Sequence, residues 1–200
     1  MTFVCGLDEA GRGPLAGPVA AGAVILPEDF PFGILNDSKK LSEKKRLQAE
    51  RVIKEKACWA VALVENDVID RINILQASLL AMKNAFEQMC KKLPEWAEKN
   101  GILIPLGIEN SLLINAIVDG NFCPEISYPC VAEPKADCKY PQVMAASILA
   151  KVQRDRIMVE YDKIYPQYGY AKHKGYPTAY HREICRKIGP SPIQRLSFNY

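Results

Sequence analysis

No Cys-x-x-Cys pair occurs in these 200 residues, and only two histidines are present. A zinc ribbon is therefore not written here. The cysteines number seven, Cys5, Cys58, Cys90, Cys123, Cys130, Cys138 and Cys185, and an odd count argues against a complete disulfide framework. Free thiols suit a reducing cytoplasm, which is the expected location, and most of these residues are expected to serve as small core hydrophobes. The longest unbroken apolar run, Val19 to Leu26, falls far short of the about 20 residues that a bilayer-spanning helix needs. Asp8 and Glu9 arrive before a signal-peptide pattern can develop, so neither membrane insertion nor export is expected. Internal repeats, low-complexity tracts and clear linkers are lacking too. So is a large excess of one charge: the net formal charge is +3, less than a dedicated DNA-coating protein usually carries.

What is present is an ordinary globular composition, 48% hydrophobic and 24% charged, which excludes disorder over most of the length. The length suits one large domain, or one domain with a small appendage. The charge is unevenly distributed. Residues 39–56 carry a local +5 and residues 135–187 a local +6, which leaves −8 for the remainder. Such a split suits a protein that grips a polyanion in some places and holds cations in others. The simpler alternative is that lysine-rich helices only solvate a surface.

Thr2 to Leu7 and Val19 to Leu26 read as buried strands joined by a Gly/Pro-punctuated turn. Ser42 caps a predicted helix to about Lys56, and Cys58 to Glu65 alternates as a third strand. Short or helical links between these three suggest an antiparallel start to a sheet. Leu75, Leu79, Met82, Phe86, Met89 and Leu93 form the stripe of a helix from about Ile74, which Pro94 is expected to stop, with Trp96 a candidate extension. Ala116 to Val118 ends a fourth strand and Glu125 to Val131 is the last. A long helix is predicted over Pro141 to Tyr165, with Met144, Ile148, Val152 and Ile157 inward. Another runs from about Pro177 to Ile188.

Asp8-Glu9-Ala10-Gly11-Arg12-Gly13-Pro14 is the most informative segment. On a continuing strand one of the adjacent acids would enter the core, so the strand is expected to end here and both acids to turn into one cleft. An ordinary solvated turn is the alternative. Asp119 closes another buried strand, and Asp137 precedes the long helix, where its charge also suits a helix N-terminus. Asp155 reads as a structural ion-pair partner. Carboxylates gathered in one cleft need cations to stay ionised, and an oxygen-only set points to Mg²⁺ or Mn²⁺. Paired ions of that kind serve phosphodiester hydrolysis. Asp37-Ser38-Lys39-Lys40-Leu41 sets lysines and free amides before a helix, where phosphate can bind. His173 could move protons and Tyr176 could stack on a sugar or base. A solvated turn histidine and a core tyrosine are the alternatives.

These segments, together with Leu35-Asn36, Val118-Asp119-Gly120, Ala145 to Val152 with Arg154-Asp155, and His173-Lys174-Gly175-Tyr176-Pro177-Thr178, resemble the type 2 ribonuclease H family, ribonuclease HII, in order and over nearly the whole chain. The resemblance implies an α/β, ribonuclease H-like fold, a five-stranded mixed sheet flanked by helices. Residues 1–200 would form one catalytic domain, with a helical C-terminal extension from about 166 to 200. It further implies an endoribonuclease that cuts RNA in RNA–DNA hybrids and cuts 5′ to single ribonucleotides in duplex DNA. The products would be 3′-hydroxyl and 5′-phosphate ends, two ions of Mg²⁺ or Mn²⁺ would take part, and the role would be ribonucleotide removal in DNA repair.

The family's four acids fall on Asp8, Glu9, Asp119 and Asp137. Its Gly-Arg-Gly element falls on Gly11, Arg12 and Gly13, expected to sense the 2′-hydroxyl, and its tyrosine falls on Tyr176, expected to stack on the next deoxyribose. Lys39 and Lys40 are expected phosphate contacts. Ala136 stands where the family often has glycine, and residues 94–114 make a long link. Gln194 to Phe198 faintly resembles a sliding-clamp peptide, though it lies where the family has its ordinary tail. A monomer is the simplest assembly. A type 3 ribonuclease H, which needs a run of hybrid, usually carries an extra N-terminal domain, for which an acid pair at residue 8 leaves no room. A catalytically silent hybrid-binding module would not need all four acids.

Overall fold

The computed structural model describes residues 2–36, 38, 40–104 and 114–199. Lys39 and the 105–113 part of the long link lie outside the described residues. Five strands, β1 (Phe3–Ala10), β2 (Val19–Ile25), β3 (Cys58–Val64), β4 (Ile114–Asp119) and β5 (Cys130–Glu133), form one mixed sheet in the order β3-β2-β1-β4-β5. The first three pair antiparallel, and β4 and β5 then run parallel to β1. The antiparallel start expected from the short links is what forms.

Helix α1 (Glu43–Lys56) begins on Ser42, whose hydroxyl accepts from the Lys45 amide. Helix α2 (Asn66–Lys99) carries one non-helical residue, Asn73, with φ 67°. Asn73 Oδ1 accepts from the Gln76 amide at 3.1 Å, so the second part of α2 begins at the predicted Ile74 behind a fresh cap. Pro94 does not stop it. Its missing N–H costs about 3 kcal/mol in a helix interior, but the last turns are held from outside. Leu93 and Ala97 are buried, Trp96 Nε1 donates to the Lys56 carbonyl at 2.8 Å, and its ring meets Phe3 edge-on. Helix α3 (Pro141–Ile164), the turn α4 (Tyr170–His173) and helix α5 (Ala179–Ile188) complete the chain, and Thr178 rather than Pro177 sets the start of α5.

Two further expectations are corrected. The last strand is Cys130–Glu133, because Ile126 and Tyr128 ahead of it pack as side chains against the core beside Phe86. In α3, Met144 and Ile157 are only half-buried, while Ala145, Ala146, Leu149 and Arg154 are buried. Small residues there let the helix lie almost on the sheet.

Alternation along the strands builds two layers. Cys5, Leu7, Ala21, Ala23, Ala60 and Ala62 face α2, while Val24, Trp59 and Val61 face α1 and α3. On this second face, β1 and β2 present glycine. A Cβ on Gly6 would stand 2.2 Å from the Gln142 carbonyl carbon, and one on Gly22 would stand 2.5 Å from the Ala146 oxygen. Backbone packs against backbone there, so no side chain can swing aside. A third cluster, built from Ala16, Met158, Tyr168, Tyr170, Cys185 and Ile193, ties the C-terminal extension to the sheet end. No helix among the described residues is long and apolar enough to cross a membrane.

Gly6→Ala is expected to destabilise the fold by about 2–3 kcal/mol, since the overlap can be relieved only by lifting α3. Urea unfolding at matched m-value checks this, and an unchanged midpoint would refute the close approach.

Candidate active site

Strand β1 runs on through both acids to Ala10, contrary to the expectation that it ends before them. The pleat therefore does send one carboxylate inward. Asp8 is 5% exposed on the α3 face, and hydrogen bonding offsets only part of the expected penalty. The Glu9 amide donates to Asp8 Oδ1 at 2.7 Å, and the Ser147 hydroxyl of α3 lies close enough to favour the charged carboxylate. Leu7 pairs with Val118 across to β4, so Asp119 arrives beside Asp8 at the carboxyl ends of two parallel strands. Its Oδ1 accepts from the Ala136 amide at 2.7 Å. That amide opens the turn Ala136–Cys138 and sets Asp137, 7% exposed, on the third side. Ala136 is fully buried in this turn.

Asp8, Asp119 and Asp137 each offer one oxygen, and these three oxygens all lie within 4.8 Å of one another. Glu9 stands outside this group. Alternation turns it to the other side of β1, where Arg12 Nη1 approaches its Oε1 at 3.5 Å. It remains in the same field: burial raises its pKa and the Asp119 charge adds to that, while Arg12 opposes. Burial first, then the Glu9 and Asp119 charges, push the Asp8 carboxyl well above its ordinary range. A divalent cation shared by these oxygens would remove that repulsion, and an all-carboxylate donor set fits a hard ion.

The loop after β1 leaves the strand at Gly11, whose φ of +107° suits glycine and whose missing Cβ makes room for Arg154 Nε, 2.2 Å from where it would be. Gly13 lies beside Tyr176, with 3.7 Å from its absent Cβ to the ring Cε1. Tyr176 is 41% exposed rather than a core residue, and Lys151 Nζ stands 5.9 Å from its ring centre. Arg12 is exposed except for its contact with Glu9. Lys40 is exposed in the loop before α1. Ser38 of that loop bonds Ser147 Oγ at 2.9 Å, while Arg46 donates to the Ser38 and Leu41 carbonyls. The lysine loop is thereby fastened to the residue beside Asp8.

Other expectations resolve differently. His173 does not stand free in solvent: Nε2 bonds the Tyr168 carbonyl at 2.8 Å, Nδ1 accepts from the Gly175 amide at 3.1 Å, and the ring stacks on His181. Asp155 pairs with Lys151 at 2.7 Å. Gln194 and Arg195 of the clamp-like tail are buried. Ser38, Ser147, Arg154 and Arg195 received no role from the sequence. For Arg154 a signal existed: it falls four residues after buried Ala150 and four before buried Met158, on the inward stripe.

Asp8→Asn is expected to raise the melting temperature in EDTA, because it removes a buried charge repelled by its neighbours. It is also expected to abolish the gain that Mg²⁺ or Mn²⁺ gives the wild-type chain. Thermal scans with and without metal check both outcomes.

The arrangement has close relatives. The family model described as Ribonuclease HII matches residues 5–200. A protein of Treponema denticola named Ribonuclease HII is 52% identical over 200 residues, covering 98% of each chain. Among solved structures, ribonuclease H2 of Pyrococcus horikoshii is similar with a TM-score of 0.67 and 28% identity, covering 98% of this chain and 94% of that one. Bst-RNase HIII, solved in complex with Mn²⁺, shares the fold with a TM-score of 0.69 at 18% identity, over 98% of this chain and 67% of that one. A five-stranded ribonuclease H-like sheet, a buried cluster of carboxylates and a family match over nearly the full length agree: the chain belongs to the ribonuclease HII family of metal-dependent nucleases.

Proposed function

We propose that this chain, acting as a cytoplasmic monomer, cuts the RNA strand of RNA–DNA hybrids and also cuts 5′ to a single ribonucleotide set in duplex DNA. In this reading it leaves 3′-hydroxyl and 5′-phosphate ends and serves to remove ribonucleotides from DNA. The observation that carries it is the cluster of Asp8, Asp119 and Asp137 oxygens at the carboxyl ends of β1 and β4, directly ahead of the Gly11–Gly13 loop. Two divalent ions, Mg²⁺ or Mn²⁺, would supply an activated water and charge stabilisation for the leaving oxygen when bound there.

The chain's own groups would do the rest. Asp8, Asp119 and Asp137 would hold the ions, and Glu9 would complete the set by turning from Arg12. The Glu9 and Ala136 amides hold one oxygen each of Asp8 and Asp119. Backbone groups of Gly11, Arg12 and Gly13 would meet the 2′-hydroxyl, which only a ribonucleotide offers as both donor and acceptor. Tyr176, exposed and next to Gly13, would stack on the sugar that follows. Lys40 and its neighbour Lys39 would meet phosphates. Gln194 and Arg195 are buried, which favours a docked tail over a free clamp-binding peptide.

The test is an end-labelled duplex holding one ribonucleotide, incubated with Mg²⁺ or Mn²⁺ and then with EDTA. A metal-dependent cut 5′ to that nucleotide is expected. Cutting of long hybrids alone would favour a type 3 activity instead. Tyr176→Ala is expected to lower cutting at the single ribonucleotide by about tenfold or more, matching the loss of a stacking contact, with little change in melting temperature.

A further inference from the structure

The loop between β1 and β2, residues 11–18, is held by two buried arginines. Arg154 of α3 donates to the Pro18 carbonyl at 2.9 Å, to Ala16 at 3.0 Å and to Lys174 at 2.9 Å. Arg195, fully buried, comes from the C-terminal segment and donates to the Gly17 carbonyl at 2.9 Å, to Pro14 at 2.8 Å and to Arg12 at 3.2 Å. All six of these bonds end on backbone carbonyls. Burial lowers both guanidinium pKa values, Arg154 to about 10 and Arg195 to about 9. A buried charge without a close counter-ion is a poor packing element, since an apolar side chain of equal volume fills space at lower cost. What the guanidinium supplies is directional donors. The Arg12 carbonyl shares its peptide group with the Gly13 amide, so bonding that oxygen fixes the amide's direction and polarises its N–H.

Arg195 is itself clasped from outside the site. Asp70 of α2 accepts from the Leu196 and Ser197 amides, each at 2.9 Å, and from the Ser197 hydroxyl at 2.5 Å. Asn66 Nδ2 donates to the Pro192 and Gln194 carbonyls, and the Arg195 amide donates to the Leu15 carbonyl at 2.8 Å.

We propose that Arg195 is a positioning residue for ribonucleotide recognition: carried by the C-terminal segment and locked by Asp70, it sets where the Arg12–Gly13 peptide stands. The inference rests on the reading of Gly11–Gly13 given above. It makes the C-terminal segment around Arg195 part of the specificity device.

The test compares the full chain with Asp70→Ala, Arg195→Lys and Arg195→Met. kcat and KM are measured on a duplex with one ribonucleotide and on a continuous RNA–DNA hybrid, alongside thermal melting and duplex binding in EDTA. Asp70→Ala is expected to lose about tenfold or more in kcat on the single ribonucleotide, the size a small misplacement of a reacting geometry produces. Its KM and its binding in EDTA should stay close to wild type, and its loss on the continuous hybrid, where many ribonucleotides can be engaged, should be clearly smaller. Arg195→Lys, which keeps a cation and a donor, should retain more single-ribonucleotide activity than Arg195→Met. Equal losses on both substrates, or losses that simply follow melting temperature across the variants, would overturn the proposal. A wild-type chain that cuts hybrids but never a single ribonucleotide would defeat the underlying reading of the loop, and the proposal with it.

Discussion

Helix α3 lies on strands β1 and β2 with its backbone against theirs, at Gly6 and Gly22, and most of the site depends on that contact. The two elements run alongside each other with matched rise. Gln142 sits on Gly6 and Arg154 reaches Gly11, so twelve helical residues, about 18 Å, span five strand residues, about 17 Å. Between those two points Ser147 meets Asp8. The turn ahead of α3 brings Asp137 to the same strand end, and the helix beyond brings Arg154 to the loop. Any residue larger than glycine at the two contacts would raise the helix and spread these partners apart together.

Around that axis the molecule buries charge of both signs. Carboxylates gather at the carboxyl ends of β1 and β4, where burial and mutual repulsion hold Asp8 well above the ordinary carboxylate range. Two guanidiniums stand behind the adjoining loop, bonded to its carbonyls. Neither set is neutralised within itself. The acids call for cations, and the arginines hold the backbone of the loop that follows β1.

Legibility followed the range of the interactions involved. Ser42 and the stripe from Leu75 to Leu93 were readable because capping and helical periodicity are local. Asp8 and Asp119 were readable as neighbours because each closes a buried strand, whereas Asp137 joins them from a turn and Glu9 stands outside their group. The end of β1 was not: Ser147, the hydroxyl that favours the charged form of Asp8 on the buried face, lies 139 positions away in sequence. Pro94 misled for the same reason, since the contacts that carry α2 past it come from Lys56 and Phe3. Arg195 read only as part of a faintly clamp-like tail, because nothing in its neighbours reveals that four loop residues close over it.

The small net charge, the count of seven cysteines, the order of the motifs and the residue types of the site were determined by sequence alone, as properties of composition and of short segments. Tertiary structure decided which three acids share one point, that Glu9 stands apart with Arg12, that Tyr176 is exposed and that His173 is held. The reason is physical. Burial, pKa and carbonyl placement depend on groups that meet only after the chain has closed, and α3 against two glycines is what closes it.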